Sequence, residues 1–285
     1  MDPVEKKFIQ QYIRRLTPIP TAIAPAGDLS PDIRCVLFDL YGTLFISGSG
    51  DISLSTHPWT QMEKIGTLLT KYDIRKTPRA LLDEFHDAIK ARHTELRNRG
   101  IDYPEVRIDR IWQQVLQADD QHTVRQFATE FEFISNPVYP MPALADLLST
   151  CRRFGLLMGI ISNAQFFTPY LFKWFLDSDP QSLGFNSELI FYSYRFQFAK
   201  PSAALFEKAA AALSAKKIAA ASVLYCGNDM LNDIYPAARA GFKTALFAGD
   251  KRSLRLRTDD PRCRDLKPDL VLTDLRQLIQ LITPP

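Results

Sequence analysis

Asp39 closes the apolar run Cys35-Val36-Leu37-Phe38, Ser162 and Asn163 close Leu156 to Ile161, Lys200 comes shortly after Glu188 to Tyr192, and Asn228, Asp229 and Asp233 follow Val223 to Cys226. Each apolar run is thus followed by a group with chemical potential. Those types suit covalent hydrolysis, because a carboxylate can attack an electrophile while a lysine and a hydroxyl stabilise the charge that develops. Singly, each has a plainer use. An aspartate at a strand end caps turns or helices, Ser162-Asn163 suits an N-cap, Lys200 precedes a proline that can open a helix, and Asp229 and Asp233 suit the positive end of one. Their joint order at successive strand ends outweighs those uses.

The elements that must position these residues read as an α/β fold. The runs Arg34 to Asp39, Leu156 to Ile161, Glu188 to Tyr192, Val223 to Cys226 and Thr244 to Phe247 are short and almost wholly apolar, as parallel strands buried on both faces are. Helical patterns at Met141 to Phe154, Phe167 to Phe175, Ser202 to Leu213, Leu231 to Ala240 and Asp274 to Ile282 separate or follow them. The expected fold is a doubly wound, Rossmann-like parallel sheet. In such sheets ligands bind outside the carboxyl ends of the strands, near the point where strand order reverses.

From about Ile46 to Tyr139 no buried strand is evident, and amphipathic stretches at Trp59 to Lys71, Pro78 to Arg99, Pro104 to Leu116 and His122 to Phe133 predict an inserted α-helical domain. Trp59 and Trp112 are expected to pack its interior. Charged and polar residues there, Arg92, His93, Arg97 and Tyr103, read as a solvated face. The predicted organisation is an N-terminal helix (Val4 to Arg15) and an extended, proline-rich leader over 1–33, a core of 34–45 and 140–285, and the insertion over 46–139. The basic stretch from Lys251 to Lys267 reads as a long solvated loop.

Four segments in this order resemble the sequence motifs of the haloacid dehalogenase (HAD) superfamily: Asp39-Leu40-Tyr41-Gly42-Thr43-Leu44, Ile160-Ile161-Ser162-Asn163, Lys200-Pro201, and Gly227-Asn228-Asp229-Met230-Leu231-Asn232-Asp233. The resemblance runs from Arg34 to Leu278. It implies a hydrolase with Asp39 as covalent nucleophile, Asp233 among the catalytic residues, and Thr43, Ser162, Asn163 and Lys200 binding the substrate. In the superfamily's phosphatases Mg²⁺ lies between the nucleophile, the backbone carbonyl two residues on and a carboxylate of the fourth motif. The corresponding groups here are Asp39, the Tyr41 carbonyl, and Asn228 or Asp229. The insertion corresponds to the family's helical cap, a cover that selects the substrate. The expected reaction is hydrolysis of a small phosphorylated metabolite with Mg²⁺.

Two residues depart from the phosphatase pattern. Tyr41 stands where the family's acid–base aspartate is usual, and a phenol with an ordinary pKa of about 10 is a poor base near neutrality. The same tyrosine occurs in the superfamily's haloacid dehalogenases, whose halide leaves without a proton and which use no metal. Asn228 stands where a metal-binding aspartate is usual. These departures keep two alternatives open: a metal-independent 2-haloacid dehalogenase, and a binding protein that retains the fold with weakened chemistry.

Bulk properties narrow the field. Hydrophobic residues make up 46% of the 285 and charged residues 24%, in the ordinary globular range. The formal charge of +3, from 35 basic and 32 acidic residues, gives no footing for nucleic acid. No apolar stretch approaches the roughly 20 residues that span a bilayer, and Met1 to Arg15 lacks a secretory h-region. Cys35, Cys151, Cys226 and Cys263 are scattered without metal-binding or disulfide spacing. A cytoplasmic enzyme with a small-molecule substrate is expected. The sequence carries no signature of oligomeric state.

Overall fold

In the computed structural model, residues 5–28, 32–49 and 59–283 are described, and the side chains of 59 and 60 are not. The apolar run Cys35–Phe38 forms β1, every residue of it buried. It lies at the middle of a six-stranded sheet of order β5-β4-β1-β6-β7-β8, in which β4 is Leu157–Ser162, β5 Phe185–Tyr192, β6 Val223–Gly227, β7 Lys243–Phe247 and β8 Leu270–Leu272. All of its pairings are parallel. The chain passes from β1 to β4 on one side and later to β6 on the other, so strand order reverses at β1. Phe38 is in register with Ile160 of β4 and Cys226 of β6. That register brings the residues after β1, β4 and β6 to one level at the sheet's carboxyl edge.

The N-terminal segment contains α1 (Lys6–Ile9), four residues followed by a 3₁₀ turn at Gln10–Tyr12. A helix over Val4 to Arg15 is therefore not formed: only Ile9 finds full burial, and so short a helix has little stability of its own. Between the small antiparallel pair β2 (Phe45–Ser47) and β3 (Val138–Pro140) lie α2 (Trp59–Lys71), α3 (Pro78–Asn98), α4 (Ile108–Leu116) and α5 (Gln121–Ser135). The starts of α3 and α5 carry their own N-terminal signals. Thr77 accepts from the Ala80 N–H with Pro78 at the first helical position, and Asp120 accepts from the His122 and Thr123 N–H groups. Trp112 is 1% exposed and stacks on Phe85 at 4.2 Å, with Phe127 and Phe131 edge-on at 4.9 and 4.7 Å. Trp59 was expected to do the same, but its side chain lies outside the described residues.

The insertion differs from the expected pattern at two points. Its two ends pair as β2 and β3, strands of three residues that are too short to show a period. The helix expected from Pro104 begins only at Ile108, because Pro104 pairs with Phe198 in an antiparallel bridge. The Glu105 N–H donates to Gln197 and the Ala199 N–H to Tyr103, so this stretch is extended and lies beside the segment leading to Lys200.

In the rest of the chain α6 (Leu144–Arg153), α7 (Tyr170–Leu176), α8 (Ser193–Phe196), α9 (Ala204–Ala215), α10 (Tyr235–Arg239) and α11 (Leu275–Ile282) surround the sheet. One face buries Leu147, Cys151 and Leu278 against Val36, Phe38 and Leu224. The other buries Leu205, Phe206, Ala209 and Leu213 against Leu37 and Tyr225. The leader runs along the edge of this sheet. Ala26 pairs with Val271 of β8, the Thr21 hydroxyl donates to the Ala248 carbonyl, and Arg252 donates to the Thr17 carbonyl. At its other end Tyr12 donates to Glu130 of α5 at 2.9 Å. Among the described residues no helix is long and apolar enough to cross a membrane.

Candidate active site

Asp39 is the first residue past β1, and its N–H still donates to the Cys226 carbonyl at 2.9 Å, so strand pairing fixes it. Its carboxylate is 6% exposed. Lys200 reaches it from a loop clamped at both backbone groups by Asn163, which accepts from the Lys200 N–H at 2.7 Å and donates to its carbonyl at 3.4 Å. The Lys200 Nζ donates to Asp39 Oδ1 at 2.7 Å and to Asp233 Oδ1 at 2.5 Å. Burial disfavours this ammonium, yet Asp233 and Asp39 outweigh it and raise the amine above its ordinary value. The lysine stays charged.

Asp233 sits in a single π-helical turn, Met230–Ile234, that opens into α10, where one continuous helix from Leu231 was expected. Such turns are rare and frequent at functional sites. The Asp233 Oδ2 accepts from the Asp229 N–H at 2.9 Å. A Cβ on Gly227 would lie 2.4 Å from the Asp233 Cγ, so only glycine lets the carboxylate come this close. Burial pushes the Asp233 carboxyl up, to about 6, against the opposing pull of Lys200.

Tyr225 completes this cluster, and nothing at sequence level singled it out. Its hydroxyl accepts from Lys200 Nζ at 3.2 Å and lies 2.9 Å from both the Ile161 carbonyl and Asp233 Oδ1. Burial, then the nearby Asp233 and Asp39 charges, lift the phenol well above its ordinary value, so it remains a donor. A tyrosine among the aliphatic residues of β6 was the available signal.

The remaining candidates fall around this centre. Ser162 is fully buried, and its hydroxyl donates to the Asn163 carbonyl at 3.4 Å. Tyr41 shares a 2.9 Å hydrogen bond with Thr168. Loss of water around the phenol lifts its pKa well above the ordinary value, and the charge of Glu132 on α5 adds to this. It is neither base nor ready acid near neutrality. Thr43 donates to Asn228 Oδ1 at 3.1 Å, and Asn228 Nδ2 donates to the Ser253 carbonyl at 2.6 Å. Gly42 turns at φ +86, where a Cβ would lie 2.5 Å from the Ser253 Cβ and 2.7 Å from Asn228 Nδ2. We expect Gly42→Ala to destabilise the fold by about 3 kcal/mol, from left-handed strain plus overpacking. Denaturant midpoints check this.

The stretch from Lys251 to Lys267, expected to be solvated, reaches the site. Ser253 is buried there. Arg257 forks onto Asp229, with Nε 3.1 and 3.2 Å from its two oxygens and Nη2 2.6 Å from Oδ2. The same carboxylate caps the π-helical turn, accepting from the Leu231 and Asn232 N–H groups at 2.9 and 3.2 Å. Arg262 donates to the Tyr103 hydroxyl at 2.8 Å, tying this loop to the insertion.

A family described as HAD-hydrolase-like matches residues 197–278, the segment that holds Lys200, Asp229 and Asp233. A 2-haloacid dehalogenase from Pseudomonas syringae pv. Tomato DC3000 has a similar fold, with 19% identity over 88% of this chain and 98% of that one at a TM-score of 0.56. The chain shares the fold of this haloacid dehalogenase, and its residues 197–278 match a HAD-hydrolase-like family. A HAD phosphatase from Thermococcus onnurineus covers the same shares at 14% identity and a TM-score of 0.53. An L-2-haloacid dehalogenase from Xanthobacter autotrophicus does so at 17% and 0.50. No curated relative matches in sequence.

The Mg²⁺ that the resemblance implies finds a poor donor set in this site. Magnesium needs oxygen ligands in near-octahedral geometry. Asn228 offers a neutral oxygen that already accepts from Thr43. Both oxygens of Asp229 are taken by Arg257 and by capping N–H groups. Asp39 and Asp233 share the Lys200 ammonium. Among the described residues no group of three or more His, Cys, Asp or Glu side chains is arranged to hold a metal ion. The residues present do not fit the ion.

Proposed function

We propose that the chain is a cytoplasmic hydrolase that forms a covalent ester through Asp39 on a small carbon electrophile, of the 2-haloacid class, without a divalent cation. The observation that carries this reading is the Lys200 ammonium set between Asp39 and Asp233, at 2.7 and 2.5 Å, with no acidic group at Tyr41. With Oδ1 held by Lys200, the other Asp39 oxygen attacks the carbon, and the carbon–halogen bond breaks with its electron pair leaving as halide. No proton is required at that step. Water then attacks the ester carbonyl of Asp39 while Asp233 takes its proton. Collapse frees the hydroxy acid, which recovers that proton, and returns Asp39 as a carboxylate with release of H⁺. Three site carboxylates, Asp39, Asp229 and Asp233, face two cations, Lys200 and Arg257. That net negative charge disfavours a phosphate dianion more than a singly charged haloacid.

The test is to measure halide release from 2-haloacids in the presence of a chelator, beside phosphate release from small phosphate esters with and without Mg²⁺. Chelator-insensitive halide release that disappears in Asp39→Asn is expected. Mg²⁺-dependent phosphate release would establish the phosphatase reading instead, and binding without either product would establish a non-catalytic protein.

The raised Asp233 carboxyl predicts the pH profile. As a base it must be ionised for ester hydrolysis, the step after halide loss, so kcat should rise with pH through about 6 and level off above it where that step limits turnover. Stability has the opposite sign. Because the folded pKa lies above the unfolded one, this group's contribution is fullest below the ordinary carboxyl value and is lost as pH rises to about 6. A profile without an inflection in that range removes Asp233 from the role of base.

A further inference from the structure

One segment accounts for the mismatch with Mg²⁺ at both acidic positions of the fourth motif. Residues 253–257 lie against the end of β6: the Arg255 N–H donates to the Asn228 carbonyl at 3.0 Å, and the Met230 N–H donates to the Arg255 carbonyl at 2.8 Å. From this position the Ser253 carbonyl takes the amide of Asn228 at 2.6 Å. An aspartate at 228 would set a carboxylate against that carbonyl, with no hydrogen to share. Two residues past the backbone pairing, Arg257 adopts φ +52, uncommon for a residue with a side chain. Its guanidinium forks onto Asp229.

We propose that Arg257 is a built-in cation that stands in for a divalent metal ion at the fourth motif, and that Asp229 is a latent Mg²⁺ ligand which Arg257 keeps masked. Asp229 is 6% exposed, and a carboxylate so buried needs a counter-charge. A planar guanidinium meets it in two-pronged geometry that no lysine reproduces. The segment is itself held in place. Asp250 accepts from the Arg252 N–H at 3.1 Å and from its Nε, and the Lys251 N–H donates to the Ile19 carbonyl of the leader at 2.8 Å. Arg257 is 30% exposed, so its removal opens Asp229 to solvent and to ions.

This deepens the metal-free reading of the site, but it is tested by cation binding, so a catalytically silent preparation still reports. Mg²⁺ and Mn²⁺ are titrated by calorimetry and thermal shift into the full-length wild type, Arg257→Met and Arg257→Met/Asp229→Asn, with circular dichroism to verify folding. Wild type should show no shift. Arg257→Met should bind Mg²⁺ at least about tenfold more tightly, the scale of effect expected when a ligand's surroundings are altered, and should melt later as Mg²⁺ is added. Asp229→Asn in that background should abolish the gain. Wild type binding as tightly as Arg257→Met overturns the proposal, as does a folded Arg257→Met without gain, or a gain that survives Asp229→Asn. Should Arg257→Met not fold, Arg257→Lys keeps the charge but gives up the fork. A smaller gain is then expected, and its absence is equally decisive. Chelator-insensitive halide release remains a separate measurement, so failure here and failure of the reaction assignment are told apart.

Discussion

Asp39→Asn is expected to abolish turnover, with kcat falling about 10⁶-fold, because loss of the proposed nucleophile would remove the covalent route altogether. The amide is close in shape to the carboxylate, and its carbonyl can still accept from Lys200 where Asp39 Oδ1 accepts at 2.7 Å. Asp233 still balances the lysine charge. The variant should therefore remain folded, and the loss should fall on kcat rather than on ligand affinity. Single-turnover assays with the best halogenated or phosphorylated substrate check this. Activity within tenfold of wild type removes Asp39 from the reaction.

Lys200→Met is expected to have the second largest effect, on both activity and stability. Two buried carboxylates, Asp39 and Asp233, now face each other without their common cation. Breaking a buried charge group by deleting one member costs about 3–5 kcal/mol. Loss of a preorganised charge at the reacting centre costs about 10²- to 10³-fold in kcat. The pH sign separates this account from simple loss of packing. Without Lys200 the Asp233 carboxyl loses the influence that lowers it, so the stability deficit shrinks as pH falls and Asp233 takes up a proton. Denaturant midpoints at pH 7 and pH 5 measure this. A deficit equal at both pH values assigns the loss to packing alone.

The parts legible in sequence were those whose physics is local. β1, β4, β6 and β7 are apolar runs because both faces of a parallel strand are buried, and that pattern survives in the letters. The polar residues after them stood out because each ends an apolar run. Tyr225 did not, since an aromatic residue inside an apolar strand looks like core, and Phe206 does pack on its ring at 5.0 Å. Only the approach of Lys200, 25 residues earlier in the chain, gives its hydroxyl a task. Arg257 and Ser253 were hidden for a related reason. A basic loop has the composition of solvated surface, and its backbone pairing with Asn228 and Met230 is a long-range fact. β8, like β2 and β3, has three residues, too few for any period to appear. The short α1 reflects burial rather than spacing, because a helical pattern forms a helix only where its apolar side finds a partner.

The pairing of β2 with β3 bears on how such a protein can change over time. Ser47 and Val138 are opposite one another, and the Gly48 N–H extends the ladder to the Pro137 carbonyl at 2.8 Å. The chain leaves the sheet and re-enters it through one doorway. To the strand that precedes Asp39, everything between residues 48 and 137 is one excursion that leaves and returns through this pair. Closing a longer or shorter excursion alters the closure entropy only logarithmically. The length of this excursion can thus change at small entropic cost, provided that the contacts of Tyr103, Pro104 and Glu105 with Arg262, Phe198 and Gln197 are kept or replaced.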